Sequence, residues 1–457
     1  MNALFARHAL LAGGWHRDVL LEWDVRGDLT KVAPDAAPPL GVARVDYVVP
    51  GMINLHSHAF QRALGGLAER AGGGPGNAPD SFWTWRELMY RIANRITPEQ
   101  MEAVAAQLYA ECLRHGYTAV CEFHYLQRAP GGHVYGHPAE TAQRVAQAAR
   151  ESGIGVTLLP VLYAHAGFGD TPLKDEQERF RTDPAQVLRI VEALAPLRGP
   201  QLEVGAAPHS LRAVSAGQLR ELVQALPADR PLHIHVAEQQ LEVAQCVEAT
   251  GMRPVDYLMR QVDVDARWCL VHATHLSDGE RDRLAASGAV AGLCPTTEAN
   301  LGDGLFPLAP YIAAGGRFGI GSDSHVSHSP VEELRWLEYG QRLAQQRRNI
   351  AVRGDERSVA DFLWTQALEG GAQAAGRRVG VLTPGRRADL LVLDSAHPNL
   401  DGVPPHEVLG RFLFSGNDNL VRDVLAGGHW VVQGGRHKAQ DAIAQRYKAA
   451  VRTLHAH

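Results

Sequence analysis

Hydrophobic and polar positions divide the chain into parts with different periods. Residues 1–50 have the pattern of short strands, as in Val19–Trp23, which alternates until Arg26-Gly27-Asp28 interrupts it. From about residue 51, apolar runs of strand length alternate with amphipathic stretches of helical period. After about residue 384 the strand pattern returns, and residues 441–457 have the pattern of a helix.

The central part contains eight strand candidates separated by predicted helices. The strands end near His58, His124, Leu162, Ala207, Val236, His272, Leu293 and Asp323. The clearest helix begins at Thr97, with Pro98 in its first turn. Further helices are predicted at 139–152, 183–195, 215–226, 239–250 and 277–287. Continuous apolar strands that alternate with helices predict a parallel sheet, and eight such units favour an α/β fold of the (β/α)8 TIM-like barrel type.

The strand patterns at the two chain ends predict a satellite domain beside the barrel. We expect a small β-sandwich domain built from residues 1–50 and 384–440. The metal-dependent barrel is expected over residues 51–383, and a helical C-terminal tail over 441–457.

The amino-acid composition of the chain argues against nucleic acid and membranes as its binding partners. Lys and Arg number 45 against 50 Asp and Glu, a net charge of −5, so no basic excess exists to bind nucleic acid. No apolar run approaches the roughly 18–20 residues of a membrane span, and Met1–Arg7 does not resemble a signal peptide. The five cysteines show no CxxC spacing, which is typical of a reducing compartment. We therefore expect a cytoplasmic protein with a small-molecule substrate.

Histidines stand out, with 22 in the chain, and several lie at predicted strand ends. In a barrel, functional groups lie at the C-terminal ends of the strands. His56 and His58 end the first strand, and the two-residue period places both imidazoles on one side. An HxH tripeptide alone is a weak signal, so its position at a strand end carries the information.

The fifth, sixth and eighth strands end in further polar groups. His233 and His235 precede Glu238, while His272 ends the sixth strand and Asp323 the eighth. One of His233 and His235 must lie deeper in the barrel. We choose His235 as the ligand and expect His233 to be packed and hydrogen-bonded beneath it.

These groups suit a single divalent metal ion such as Zn²⁺, with one position left for water. The predicted ligands are His56, His58, His235 and Asp323. A bound zinc lowers the pKa of its water to about 7. We expect Asp323 to accept the water proton, His272 to hold the water or polarise the bond under attack, and Glu238 to protonate a substrate nitrogen. No Lys ends the fourth strand, so a lysine-bridged second metal is not predicted.

These motifs resemble the amidohydrolase superfamily over the whole chain. The matching segments are Pro50–His58, Leu232–Glu238, Val271–His272, Gly321–His325, Gly385–Asp394 and Val424–Val432. The HxxE pattern on strand five is similar to that of the deaminase branch. That resemblance implies hydrolysis of a C=N bond through one zinc ion per chain.

Six segments resemble, more narrowly, the family of N-formimino-L-glutamate deiminases (formimidoylglutamate iminohydrolases). They are His56–Arg62, Asp80–Arg86, Glu122–Tyr125, His209–Arg212, Cys294–Asp303 and Glu332–Gln341. The resemblance implies hydrolysis of N-formimino-L-glutamate to N-formyl-L-glutamate and ammonia in histidine degradation. Two features depart from the pattern: Pro295 follows Cys294, and the loop at 71–78 is longer.

Such a substrate carries two carboxylates and one amidinium, so its pocket needs cations and hydrogen-bond donors. Candidates just after barrel strands or in rim loops are Gln61, Arg86, Tyr125, His209 and Arg212. With the resemblance, Arg86 and Arg212 are expected to bind the carboxylates; the alternative for each is a surface ion pair. His124 and His325 are expected to hydrogen-bond residues around the metal site.

Other functions remain open from the sequence. A deaminase of a purine or related heterocycle such as guanine would use the same metal set, although a planar base favours aromatic walls over two arginines. A non-catalytic barrel scaffold should have lost ligands, and none is missing. A solute-binding protein should carry a signal peptide. We also expect a homodimer.

Overall fold

The structure is a computed structural model that describes residues 2–69 and 80–456. The loop at 71–78 that departs from the family pattern therefore lies outside the described residues. The strands are β1 (Asn2–Leu11), β2 (Gly14–Trp23), β3 (Leu29–Ala33), β4 (Ala43–Pro50), β5 (Met52–Ser57), β6 (Tyr117–His124), β7 (Gly155–Leu162), β8 (Leu202–Val204), β9 (Ala207–Pro208), β10 (Leu232–Val236), β11 (Trp268–His272), β12 (Val290–Leu293), β13 (Arg317–Ile320), β14 (Leu390–Leu393), β15 (Val421–Ala426), β16 (His429–Gln433) and β17 (Arg436–His437).

The helices include one in each segment where the sequence predicts one. They are α1 (Phe82–Ala93), α2 (Pro98–His115), α3 (Glu140–Ser152), α4 (Pro184–Leu194), α5 (Ala216–Ala225), α6 (Gln240–Thr250), α7 (Pro254–Gln261), α8 (Asp278–Ser287), α9 (Pro295–Leu301), α10 (Leu308–Ala313), α11 (Pro330–Gln345), α12 (Val359–Ala375), α13 (Pro405–Phe414) and α14 (Gln440–His455). Thr97 caps α2 through the backbone N–H of Gln100, as its position before Pro98 predicts. Within the described ranges, no helix has both the length and the apolar character of a membrane span.

A closed barrel of parallel strands forms the body of the molecule. One sheet contains β5–β8 and the other β10–β13, each in sequence order, with β9 pairing with β7. Parallel bridges join the sheets between Ser57 and Asp323 on one side and between Ala206 and Leu232 on the other. Every residue of β5, β6, β7, β10, β11 and β12 is buried, because helices cover the outside. The expected barrel is confirmed.

The fourth barrel strand differs in detail from the sequence prediction. The apolar run predicts one strand from Leu202 to Ala207, but the structure divides it into β8 and β9. At the break, the Ala206 N–H donates to the Pro231 carbonyl at 3.1 Å. A Cβ atom on Gly205 would lie 2.3 Å from that same oxygen, so glycine is required for this close approach. At the break the chain bridges to the start of β10, while β8 before it and β9 after it both pair with β7.

Both chain ends contribute to a separate eight-stranded sheet outside the barrel, in the order β17-β16-β15-β14-β4-β1-β2-β3. Both faces of the sheet are buried at its centre, as the residues at the end of β4 and in β14 show. Val48 and Leu390 point into a core of the small domain itself. Val49 and Leu391 belong to the core shared with the barrel. Only Gly51 separates β4 from β5, so the sheet leads directly into the strand that carries the first two predicted ligands.

Candidate active site

Four side chains of metal-ligand type converge at the C-terminal ends of β5, β10 and β13. They are His56, His58, His235 and Asp323. All four are buried, and their ligand atoms lie within 4.8 Å of one another. The convergence follows from the closed barrel, because the Asp323 N–H donates to the His56 carbonyl at 3.0 Å.

The spacing of these atoms fits a small divalent cation. Asp323 Oδ1 lies 3.3 Å from both His56 Nε2 and His58 Nε2. His56 Nε2 and His235 Nε2 are 3.0 Å apart. A tetrahedral zinc site with bonds of about 2.0–2.1 Å separates its donors by roughly 3.3 Å. The donor set therefore matches in both chemistry and separation.

In His58 and His235, Nδ1 is hydrogen-bonded to a backbone carbonyl, which leaves Nε2 available to a metal. His58 Nδ1 donates to the Phe123 carbonyl at 2.9 Å, and His235 Nδ1 to the His209 carbonyl at 3.0 Å. Each Nε2 then carries a lone pair directed at the centre of the cluster. Burial lowers the pKa of His58 and that of His235, which favours the neutral ring that a metal binds.

A buried carboxylate fixes the backbone between the first two ligands. Because side chains alternate along β5, Ser57 points away from its neighbours and its hydroxyl donates to Glu122 at 2.7 Å. Glu122 also accepts the Ala59 N–H at 2.7 Å and the Tyr109 hydroxyl at 3.0 Å. Burial raises the pKa of Glu122 to about 7. Glu122 had no predicted role, although an acidic residue inside the apolar strand β6 is a sequence signal for one.

Left-handed backbone conformations cluster at this rim of the barrel. Of the ten non-glycine residues with positive φ in the described ranges, five lie there. They are Ala237, His272, Ala273, Asp323 and His325, with φ between 44° and 66°. Such conformations are costly for side chains with a Cβ and are concentrated at functional sites.

His272 and Glu238 lie beside the metal-ligand cluster. His272 Nε2 is 3.6 Å from Glu238 Oε1 and 3.8 Å from Asp323 Oδ2. Burial raises the pKa of Glu238 to about 7. Burial opposes a charge on His272, but the nearby carboxylates, Glu238 foremost, outweigh it and raise its pKa to about 10. The pair can therefore hold a proton next to the position of a bound water.

A cavity opens above this group, and all five predicted substrate-binding residues line it. They are Gln61, Arg86, Tyr125, His209 and Arg212. Its walls are otherwise mainly aromatic, with Phe82, Trp85, Tyr90, Tyr163 and Phe180. His58, His235, Glu238, His272 and Asp323 also line it, so the pocket and the proposed reacting groups form one space.

The two arginines share one side of this cavity. The guanidinium carbons of Arg86 and Arg212 lie 6.0 and 5.8 Å from the ring centre of Phe82. Burial, and then the charge of Arg212, lowers the pKa of Arg86. Two cations in one partly buried pocket favour an anionic ligand, because its charge offsets both.

Gln61 and Tyr125 form a hydrogen-bonded pair in the same wall. Gln61 Nε2 donates to the Tyr125 hydroxyl at 2.8 Å. Gln61 Oε1 is buried, and no described residue forms a hydrogen bond with it. The pair therefore presents an amide oxygen that can accept from a ligand, and a phenol hydroxyl whose 3.8 Å contact with Met89 Sδ is a weak hydrogen bond that a ligand oxygen can replace.

Three other histidines that were candidates from the sequence form hydrogen bonds outside the metal-ligand cluster. His233 Nε2 donates to the Ala374 carbonyl of α12 at 2.9 Å, beneath the cluster. His124 Nε2 lies 2.9 Å from Thr141 Oγ1. His325 Nε2 lies 3.2 Å from Ser57 Oγ, which links it to the backbone between His56 and His58.

A further polar residue was missed, although it lies inside a motif singled out from the sequence. Glu298 is 4% exposed, and its Oε1 is 3.2 Å from His272 Nδ1. The proline that departs from the family pattern has a local explanation here, because Pro295 is the first residue of α9, where a missing N–H costs nothing.

Comparison with known proteins shows the same architecture and chemistry. A profile described as "Amidohydrolase family" matches residues 47–431. Formimidoylglutamate deiminase of Pseudomonas aeruginosa is 52% identical over 98% of both chains. The 8-oxoguanine deaminase of the same species is 29% identical over 89% of this chain and 87% of its own. The crystal structure of an amidohydrolase from Brucella melitensis is 43% identical, with a TM-score of 0.93 over 99% of this chain and 100% of that one.

Proposed function

The chain belongs to the amidohydrolase family, and we propose that it converts N-formimino-L-glutamate and water into N-formyl-L-glutamate and ammonia. The observation that carries this proposal is the pair Arg86 and Arg212 in one cavity with the metal-ligand cluster. The 52% identity to formimidoylglutamate deiminase supports it along nearly the whole chain. The enzyme is a metal-dependent hydrolase of a C–N bond.

We propose one zinc ion per chain as the cofactor. Three imidazole nitrogens and one carboxylate oxygen suit zinc better than magnesium or calcium, which prefer all-oxygen sites. His56, His58, His235 and Asp323 would hold it, and the separations of their donor atoms support this assignment. When bound, zinc supplies a water of lowered pKa.

The protein's own groups bind and orient the substrate. The guanidinium groups of Arg86 and Arg212, which line the same cavity, bind the two carboxylates. Gln61 Oε1 accepts an N–H of the amidinium, and the Tyr125 hydroxyl donates to the nearer carboxylate. His209, whose pKa is lowered by burial, stays neutral and adds a hydrogen bond. Binding of this kind orients the formimino carbon toward Asp323.

Two carboxylates and one imidazole move the protons. As the water oxygen bonds to the formimino carbon, Asp323 takes the proton that it loses. Glu238, protonated in part near neutral pH, gives a proton to the terminal nitrogen. The remaining hydroxyl proton of the adduct passes to the Glu238 carboxylate as the C–N bond breaks, so that ammonia leaves and the oxygen stays in the formyl group as its carbonyl. Asp323 then releases its proton to the solvent. His272, between Glu238 and Asp323, holds the attacking oxygen in place and connects the two carboxylates.

A second candidate is a deaminase of a purine or related heterocycle. The aromatic side chains Phe82, Trp85 and Tyr90 support it, because they offer flat surfaces to a planar base. The 29% identity to 8-oxoguanine deaminase points the same way. A neutral base makes no use of the charges of Arg86 and Arg212, whereas a dicarboxylate does, which favours the first proposal.

One experiment separates the two functions. Purified enzyme loaded with zinc is offered formiminoglutamate, guanine and a guanidino acid, and ammonia release is measured for each. We expect rapid release from formiminoglutamate alone. Release from guanine but not from formiminoglutamate would reverse the order of the two candidates.

Two further properties are proposals of the same kind. All five cysteines are buried and unpaired, which supports a cytoplasmic location. The homodimer stays a prediction, and light scattering behind a sizing column tests it directly.

A further inference from the structure

Glu298 contacts the imidazole that lies beside the reacting groups, but from the side away from the substrate cavity. His272 Nδ1 is 3.2 Å from Glu298 Oε1, and the other ring nitrogen faces Glu238 and Asp323. The same carboxylate oxygen accepts the backbone N–H of Cys294 at 2.9 Å. Glu298 and His272 are 4% and 1% exposed.

This contact fixes a hydrogen on Nδ1 of the ring, whether the imidazole is neutral or protonated. A carboxylate oxygen only accepts, so an Nδ1 at this distance must present its N–H to Glu298. The backbone N–H of Cys294 holds the carboxylate in turn, and Glu298 lies in the first turn of α9, whose end is fixed by Gly302. The ring is thus oriented through the fold rather than through the metal ligands.

We propose that Glu298 is a positioning residue for the hydrolytic reaction. It keeps the His272 ring with Nδ1 protonated and Nε2 directed at the attacking oxygen, and it touches neither substrate nor metal. The inference rests on the proposed function, because it assigns to Glu298 a role in that reaction.

The same atoms suggest a competing interpretation. One atom each of His272, Cys294 and Glu298 lies within 4.8 Å of the others, as in a site for a second metal ion. However, Nδ1 of His272 and the Glu298 carboxylate already use each other as hydrogen-bond partners. The positioning role predicts one metal ion per chain, and the competing interpretation predicts a second ion that is lost when Glu298 is replaced.

The test compares Glu298→Ala and Glu298→Gln with the wild type. Glutamine can keep both hydrogen bonds through its Oε1 but carries no charge, whereas alanine removes both bonds. We measure kcat and KM for formiminoglutamate, metal content and thermal unfolding. We expect Glu298→Ala to lower kcat by about 10- to 100-fold with KM within about threefold of wild type. Glu298→Gln should recover most of this loss and leave kcat about 3- to 10-fold below wild type, because its amide keeps the hydrogen bonds but not the charge.

Glu333→Gln is the matched control. Glu333 is also fully buried and holds the same helix, since it accepts the Thr296 backbone N–H at 2.9 Å and the Thr296 hydroxyl at 2.6 Å. No described contact joins Glu333 to His272. This variant should lower the melting temperature while kcat stays within about twofold, because it disturbs α9 without touching the imidazole.

Several results would overturn the inference. A Glu298→Ala enzyme with kcat within about threefold of wild type excludes the positioning role, as does a Glu333→Gln enzyme that loses as much kcat as Glu298→Ala. Loss of a second ion on replacing Glu298 favours the metal interpretation. If Glu298→Ala does not fold, a Glu298→Gln enzyme with unchanged kcat overturns the inference, and a drop of about 3- to 10-fold supports it. A wild-type enzyme that releases no ammonia from formiminoglutamate instead refutes the proposed function.

Discussion

Replacing Arg212 by methionine tests the feature on which the substrate proposal depends. Methionine keeps much of the apolar stem of arginine but has no charge and no donors. If Arg212 binds a substrate carboxylate, the variant should bind formiminoglutamate weakly and retain its metal. The ligand cluster does not include Arg212, so metal content serves as an internal check on the fold.

The expected size of the effect follows from the position of Arg212. A guanidinium and a carboxylate about 4 Å apart attract each other by about 4 kcal/mol at an effective dielectric constant near 20. Arg212 is half-buried, and Arg86 remains in the same cavity to hold part of the charge. The net loss should therefore be about 2–3 kcal/mol, at the lower end of the range for truncated buried ion pairs. This corresponds to a fall in kcat/KM of about 30- to 140-fold, mostly through KM.

The assay measures ammonia release by coupling it to NADH consumption by glutamate dehydrogenase. Two substrates are compared: formiminoglutamate and N-formimino-L-2-aminobutyrate, which lacks the side-chain carboxylate. If Arg212 binds that carboxylate, Arg212→Met loses little further activity on the second substrate, whereas Arg86→Met still loses much. The reverse pattern assigns the side-chain carboxylate to Arg86.

Arg411→Met provides the control for loss of an ordinary surface arginine. Arg411 pairs with Glu407 at 3.1 Å, and both side chains are 46% exposed. Such a pair contributes about 0–1 kcal/mol to stability, so its loss should leave the kinetics unchanged. The reasoning is refuted if Arg212→Met and Arg86→Met both keep kcat/KM within about threefold of wild type, as Arg411→Met should. The heterocycle deaminase would then become the better proposal.

Three other predictions follow from the site and its surroundings. Glu238→Gln removes the proton donor but keeps its shape, so kcat should fall by about 100-fold or more while metal content persists; wild-type turnover would exclude Glu238 from proton transfer. Elemental analysis should find one zinc per chain, which His56→Ala loses; two tightly held ions in the wild type would contradict the single-metal site. Burial raises the pKa of Glu333 well above its ordinary 4.5. The folded state therefore binds a proton at this carboxyl more tightly than the unfolded state does, and the stability gained from that proton is lost as the pH rises. In urea titrations between about pH 5 and 8, the free energy of unfolding should therefore fall less steeply with pH for Glu333→Gln than for wild type, and equal slopes would refute this.

The residues that end the barrel strands could be predicted from the sequence, because they follow runs of apolar residues. His56, His58, His272 and Asp323 each end an apolar run, and in a parallel barrel all such ends lie at one rim. The period of the strands was therefore enough to bring these four residues together. The family resemblance then supplied Arg86, Arg212 and the other substrate-binding candidates, which have no periodic signal of their own.

The period of the strand alone cannot show which of His233 and His235 joins the cluster. Both lie on the same side of β10, so the two-residue period cannot separate them. The barrel decides between them through depth: His235 reaches His56 Nε2 at 3.0 Å, whereas His233 reaches the Ala374 carbonyl of α12. The prediction of His235 as the ligand rested on its distance from the strand end, and the structure places His235 in the cluster.

The partners of the reacting groups were decided by tertiary structure. Glu298 reaches His272 because α9 begins just after β12, which pairs with β11, and Glu122 reaches Ser57 because β6 pairs with β5. Neither contact has a sequence spacing that repeats, since 26 residues separate the first pair and 65 the second. The side chains at the strand ends could be identified from the sequence, because a buried strand is recognised by its own run of apolar residues. Only the closed barrel decided what those side chains touch, because hydrogen bonds join groups that are close in space and distant in the chain.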